Sequence, residues 1–219
     1  MVDRQVQDQL DVPLVAIDGP IGFYCNSGNY CALLTDKASL SNRRTYSQYV
    51  EAIRCTDGVH IENNAFNNCY ALQSITIPDG VTSIGNSAFH GCHSLQSITI
   101  PDEVTSIAAY AFYGCYALQS ITIPDGVTSI WAYAFNNCYS LQLITIPDGV
   151  TSIAASAFYG CCSIMEYHFL RTTPPTLANK NAFNGIVAGT IIYVPEGSLN
   201  AYKTATNWST YASYMQEEP

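Results

Sequence analysis

Basic residues are scarce in this chain. Only 8 of its 219 residues are Lys or Arg, against 17 Asp or Glu, and the formal net charge is −9. A nucleic-acid binder needs a basic stripe to meet the phosphates, and none is present. Charge of either sign is sparse, at 11% of residues, where soluble domains usually carry about a quarter. The polar surface must therefore be built from Ser, Thr, Asn, Gln and Tyr, and the acidity is too diffuse to name a partner. No apolar run approaches the roughly 18 residues that a membrane helix needs. The opening MVDRQVQDQL lacks the apolar segment of an export signal. Either a signal has been removed, or export by that route is not expected.

What the chain has is repetition. LQSITIPDGVTSI occurs at residues 72–84 and again at 118–130; residues 95–107 differ only at Glu103 and residues 141–153 only at Leu143. The period is 23 residues, marked by Phe66, Phe89, Phe112, Phe135 and Phe158 and by Cys69, Cys92, Cys115, Cys138 and Cys161. An earlier unit, AIRCTDGVHIENNAF, is degenerate and one residue short. A period of about 20–29 with L-x-x-L-x-L spacing marks a leucine-rich repeat.

Each unit parses physically. Leu72, Ile75 and Ile77 form the inward face of a short strand, and Thr76 points the other way. Pro78-Asp79-Gly80 is turn chemistry that ends it. Val81 and Ile84 return to the core on a second extended piece. A short helical or irregular segment then closes the coil, with Phe89 as its largest plug. One coil cannot bury its apolar face alone, but stacked coils can. The expected fold is an α/β leucine-rich-repeat solenoid with short parallel strands on one face, capped at both ends. The expected division is an N-terminal cap over 1–50, repeats over 51–170 and a C-terminal cap over 171–219.

Stacking makes residues 23 apart into ladder neighbours about 4.8 Å apart. The recurring cysteines then lie within Cα range of disulfides, but their parallel Cβ vectors stay beyond the usual separation of about 3.8 Å. A buried ladder of reduced thiols is expected, acting as small hydrophobes. Cys25 and Cys31 lie outside the repeat; a local disulfide and two free thiols both remain open. In the C-terminal segment TIIYVP reads as a final strand. Ser198 then starts a helix whose Leu199, Tyr202, Ala205 or Thr206, and Trp208 cover the open end. In the N-terminal segment DVPLVAIDG reads as a strand and residues 41–53 as helical.

The unit C-x-x-L-x-x-I-x-I-P-x-x-V-T-x-I-x-x-x-A-F over residues 51–170 resembles the BspA-like (Treponema-type) leucine-rich repeat family. TTPPTLANKNAFNG and TIIYVPEGSLNAYKTATNWSTYA resemble the ending of members from gut Bacteroidales. The resemblance implies a cell-surface or secreted protein that binds host or bacterial surface proteins, and it offers no catalytic residue to carry over. The residues themselves suggest glycans as an alternative partner and call for no cofactor and no metal. The general leucine-rich pattern carries an asparagine where this chain has Gly80, Glu103, Gly126 and Gly149, so no asparagine ladder is expected.

Candidate contact residues lie on two surfaces. Thr76, Thr99, Thr122 and Thr145 form an uncharged ladder on the strand face, which equally suits simple parallel pairing. The return segment varies between copies, and Trp131, Tyr110, Tyr133, Tyr113, Tyr116, Tyr139 and Tyr159 are candidates for an exposed aromatic strip. Ordinary packing between coils is the competing reading. His90, Cys92 and His93 are close in sequence, but Cys92 is a core position. Asp79, Asp102, Asp125 and Asp148 recur in turns, where turn formation explains them as well as calcium would. Asn207-Trp208-Ser209 matches a glycosylation sequon. The expected function is multivalent, non-enzymatic binding by a monomer; the alternative is a spacer that presents another module.

Overall fold

The structure is a computed structural model that describes residues 22–24, 30–32, 59–61, 63–70, 72–77 and 79–219. The strand expected at 11–19, the helix expected at 41–53 and the side chains of Cys25 and Cys31 lie outside the described residues. Strands β1 (Gly22–Tyr24) and β2 (Tyr30–Ala32) pair antiparallel. From β3 (Val59–Ile61) onward every pairing is parallel, and the chain winds as a solenoid.

Each coil contributes two short strands. The first ladder comprises β4 (Ser74–Thr76), β6 (Ser97–Thr99) and β8 (Ser120–Ile121). It continues with β10 (Leu143–Ile146), β12 (Glu166–Phe169) and β14 (Ile191–Val194). The Gln142 N–H bond to the Gln119 carbonyl, 3.3 Å, spans the step between β8 and β10. In this ladder Ile98, Ile121 and Ile144 point inward while Thr99 and Thr122 are exposed, as period-two alternation requires. The second ladder runs β3, β5 (Val81–Ile84), β7 (Ser106–Ile107), β9 (Ser129–Ile130), β11 (Ser152–Ile153) and β13 (Thr176–Leu177). The second extended piece of each repeat thus makes a six-stranded parallel sheet of its own.

Among the described residues the return segments contain no helix. They are successive tight turns, such as Ala134 N–H to the Trp131 carbonyl (3.2 Å) and Cys138 N–H to the Phe135 carbonyl (3.2 Å). They also pair with the next coil: Phe112 N–H donates to the Ala134 carbonyl at 2.8 Å and Gly114 N–H to that of Asn136 at 2.8 Å. Stacking therefore satisfies backbone groups all round the coil, as burial demands. The turns take left-handed residues at two positions, and the second reads Asn68, Gly91, Gly114, Asn137 and Gly160, all with φ between 60° and 76°.

Inside, Phe66, Phe89, Phe112, Phe135, Phe158 and Phe183 form one column with ring centroids 4.8–5.5 Å apart and planes within 7°. Beside it runs the thiol ladder, buried and reduced as expected. Four of its thiols donate to the backbone of an earlier coil: Cys92 to Phe66, Cys115 to Phe89, Cys138 to Phe112 and Cys161 to Phe135, at 3.0–3.3 Å.

The C-terminal end closes differently from the expectation in one respect. The strand read from TIIYVP is β14, but it is not the final one. The chain returns through helix α1 (Leu199–Thr204) and a 3-10 helix (Trp208–Tyr214), then adds β15 (Met215–Glu217) outside β14. MQE carries too little apolar signal to show as a strand; its backbone pairing with Ile192, Tyr193 and Val194 makes it one. Trp208 is fully buried as the end plug, packed edge-on against Phe169 and Tyr202, with its indole N–H on the Pro175 carbonyl at 2.7 Å. Tyr202 is also buried and donates to the Arg171 carbonyl at 2.7 Å. Ser198 caps α1 without a side-chain bond; the Glu217 carboxylate receives the Gly197 and Leu199 N–H groups instead.

Candidate binding surface

The return segment places its aromatic side chains in columns, because identical coil positions repeat at ladder spacing. Tyr70, His93, Tyr116 and Tyr139 form one column, with successive centroids 4.7, 4.4 and 5.1 Å apart. Tyr110 stacks on Tyr133 at 4.8 Å, and His90 on Tyr113 at 4.8 Å. Tyr110 and Tyr113, 5.8 Å apart and tilted, join these two columns. Planes within a stack lie within 14° except at Tyr70–His93, where the tilt is 38°. Face-to-face stacking covers the ring faces, so the columns present ring edges and hydroxyls to solvent.

The backbone beneath two of these rings is unusual. Tyr110 and Tyr133 both sit at φ 59°, in the left-handed region. The same coil position holds Asn64, Ser87 and Ser156, also left-handed. Asn suits that conformation best; a bulky side chain there is strained.

The other candidates divide. Tyr159 is exposed, but Asn136, buried between it and Tyr113 in the coil order, interrupts that column. Trp131 is 53% exposed and stands apart from the tyrosines, with no ring neighbour among the described residues. It borders a pocket of about 250 Å³ over the second sheet. On the strand face Thr99 and Thr122 are exposed and Thr145 is half-buried; Thr76 is in register with Thr99.

The strand face also changes character in the last coils, which reading the repeat alone did not reveal. The outward Ser74, Ser97 and Ser120 are followed in register by Leu143, Glu166 and Ile191. Thr145 is followed by His168, Tyr193 and Gln216. His168 sits between two carboxylates, with Nδ1 2.7 Å from Glu218 and Nε2 3.3 Å from Glu166, and stacks on Tyr193 at 4.8 Å. Leu143, Met165 and Leu170 are exposed in the same two coils. The departure at Leu143 was the one visible signal of this change.

Among the described residues the shifted thiols are held in their unreactive form. Burial pushes the Cys92, Cys115 and Cys138 thiols well above their ordinary value of 9.0, so they stay protonated and unreactive. Burial, and then the neighbouring His90, lowers His93, leaving it neutral at pH 7. Among the described residues no three His, Cys, Asp or Glu side chains gather as a metal site. Asp102, Asp125 and Asp148 are exposed in their turns. The Asn207 amide of the sequon is engaged with the Leu177 carbonyl at 2.8 Å. Among the described residues no helix is long and apolar enough to cross a membrane.

Two parallel ladders wound around a phenylalanine column, with polar and aromatic residues displayed outside, define a leucine-rich-repeat scaffold of the kind used for protein interaction. More narrowly, the chain belongs to the BspA-type leucine-rich repeat family, whose model matches residues 59–191 in six copies. A leucine-rich repeat protein of Bacteroides ovatus is 34% identical over 82% of this chain and 46% of its own, with a TM-score of 0.61. A leucine-rich cell surface protein of Faecalibacterium prausnitzii is 37% identical over 68% of this chain and 41% of its own, with a TM-score of 0.55. The pneumococcal vaccine antigen PcpA shares the fold at 22% identity and a TM-score of 0.57, over 71% of this chain and 37% of its own. The chain thus spans less than half the length of each of these three proteins. No curated sequence relative was found.

Proposed function

We propose that this chain is the repeat part of a bacterial cell-surface or secreted adhesion protein, and that it binds protein partners through the tyrosine columns and the threonine face. The observation that carries this reading is the alignment of exposed rings into stacked columns on the return segments. The left-handed turn is common to Asn64, Ser87 and Ser156, so Tyr110 and Tyr133 are the copies that mount a ring on a fixed backbone feature of the coil. The columns offer a row of phenol edges about 5 Å apart, suited to many modest contacts along a rigid scaffold. The cell-surface relative from Faecalibacterium supports the location.

The test is binding of the purified chain to immobilised host matrix proteins, mucins and bacterial surface fractions. A double variant, Tyr110→Ser with Tyr133→Ser, restores the residue that other copies carry and should keep the fold. Loss of affinity by about 30-fold or more, the scale of an interface hot spot, is the expected result. Binding unchanged in the double variant refutes the tyrosine columns as the contact. Absence of binding to every surface favours a second reading, a spacer that presents another module, which the near-identity of the copies at 72–84, 95–107, 118–130 and 141–153 supports.

A further inference from the structure

Trp131 breaks its own ladder. Its coil position holds Gly85 and Ala108 before it and Ala154 after it. The following coil places Ala178 there: Ala178 N–H bonds the Ile153 carbonyl (3.0 Å) as Ala154 N–H bonds that of Ile130 (2.8 Å). The indole therefore rises among side chains no larger than methyl groups, and no stacked ring covers it. The tyrosines are the contrast, because each stacked ring there is covered by the next.

The step down from Trp131 to Ala154 and Ala178 is the pocket of about 250 Å³. The rest of the lining is mostly apolar, with Ile130 and Ile153 taking part, and Ser129, Ser152 and Thr176, in register, set a row of hydroxyls along one side. Ser152 donates to Ser129 at 2.9 Å. Among the described residues the Ser129 proton and the Thr176 hydroxyl have no protein partner. No charged side chain lines the pocket.

We infer that Trp131 and the Ser129–Ser152–Thr176 row form a subsite for one ring of a neutral sugar. A pyranose has an apolar C–H face that lies on an indole and a rim of hydroxyls that both donate and accept. The pocket supplies one flat aromatic wall and neutral hydroxyl groups along the other side. The volume is below the roughly 300–1,000 Å³ of sites for drug-sized ligands, so it fits a single ring. Acidic sugars and phosphates find no cation here. An aromatic side chain of a protein partner would use the wall and leave the hydroxyl row unpaired. The inference rests on the reading of the chain as a binding protein and names a ligand class for one part of its surface.

The chain offers its own reporter, since it has two tryptophans and Trp208 is fully buried. Galactose, glucose, mannose, N-acetylglucosamine and lactose are titrated at millimolar concentration, with N-acetylneuraminic acid as the charged comparison. At least one neutral sugar should shield Trp131 from acrylamide quenching and show saturation transfer to its ring C–H protons. Trp131→Ala should weaken that transfer by at least about tenfold, with circular dichroism and Trp208 emission unchanged; Trp131→Phe should retain part of it. No shielding or transfer from any neutral sugar overturns the inference, as does transfer that survives Trp131→Ala. Equal binding of N-acetylneuraminic acid overturns the neutral-sugar assignment. If protein partners still bind while every sugar fails, the sugar subsite falls and the adhesion reading stands.

Discussion

Removing one phenylalanine from the middle of the column tests how the solenoid holds together. Phe112 is fully buried and stacks on Phe89 at 5.3 Å and on Phe135 at 5.4 Å, each at an interplanar angle of 3°. Phe112→Ala removes the buried ring and leaves a cavity, which typically costs about 3–5 kcal/mol. Two ring pairs at about 0.5–1.5 kcal/mol each account for part of that sum. Phe112→Leu keeps most of the volume and loses both stacks, so about 2 kcal/mol is expected. In urea, with a slope of about 2–3 kcal/mol per molar, the midpoint should fall by about 1–2 M for Ala and by under about 1 M for Leu. Because each coil touches only its neighbours, the Ala variant should also broaden the transition as the two halves uncouple. A midpoint change below about 0.3 M for Phe112→Ala would refute the column as a main source of stability, and equal losses for Ala and Leu would refute the role assigned to stacking.

Three further outcomes follow from close contacts and buried thiols. A methyl on Gly149 would come within 2.5 Å of the Asp125 carbonyl oxygen, whereas one on Gly126 meets nothing nearer than 3.5 Å; thermal melts should show Gly149→Ala destabilised by about 1–3 kcal/mol and Gly126→Ala nearly unchanged. Iodoacetamide on the native chain should modify exposed Cys162 and spare Cys92, Cys115 and Cys138, read by peptide mass spectrometry. The same burial sets the alkaline limit. The folded state keeps protons that the unfolded chain releases above the ordinary thiol value of 9.0, so this stability is full below that pH and declines as pH rises past it. A urea midpoint that holds steady from pH 8 to about 10.5 would contradict this.

Much of the architecture was legible in one dimension. A 23-residue period makes equivalent residues into neighbours, so the phenylalanine column, the reduced thiol ladder and the outward threonines follow from spacing alone. The second sheet was harder to see. Val81-Thr82-Ser83-Ile84 buries its first and last residues, a spacing without period-two alternation, and it becomes a strand by hydrogen bonding to equivalent segments. β15 was hidden for a related reason, since its pairing with β14 is a backbone property that Met-Gln-Glu does not advertise.

The candidate contact surface divides along the same line. That Tyr, His, Asn and Trp replace one another in the return segment is a fact of sequence, and it marks where the rings vary. Whether a ring shows its face or its edge depends on what stands one coil away. Tyr110 and Tyr133 share a left-handed position and cover each other, while Trp131 stands between Ala108 and Ala154 and is covered by no ring. Composition and period settled which residues recur. Coil-to-coil packing settled which of their surfaces meet solvent, because exposure belongs to neighbours brought together by stacking.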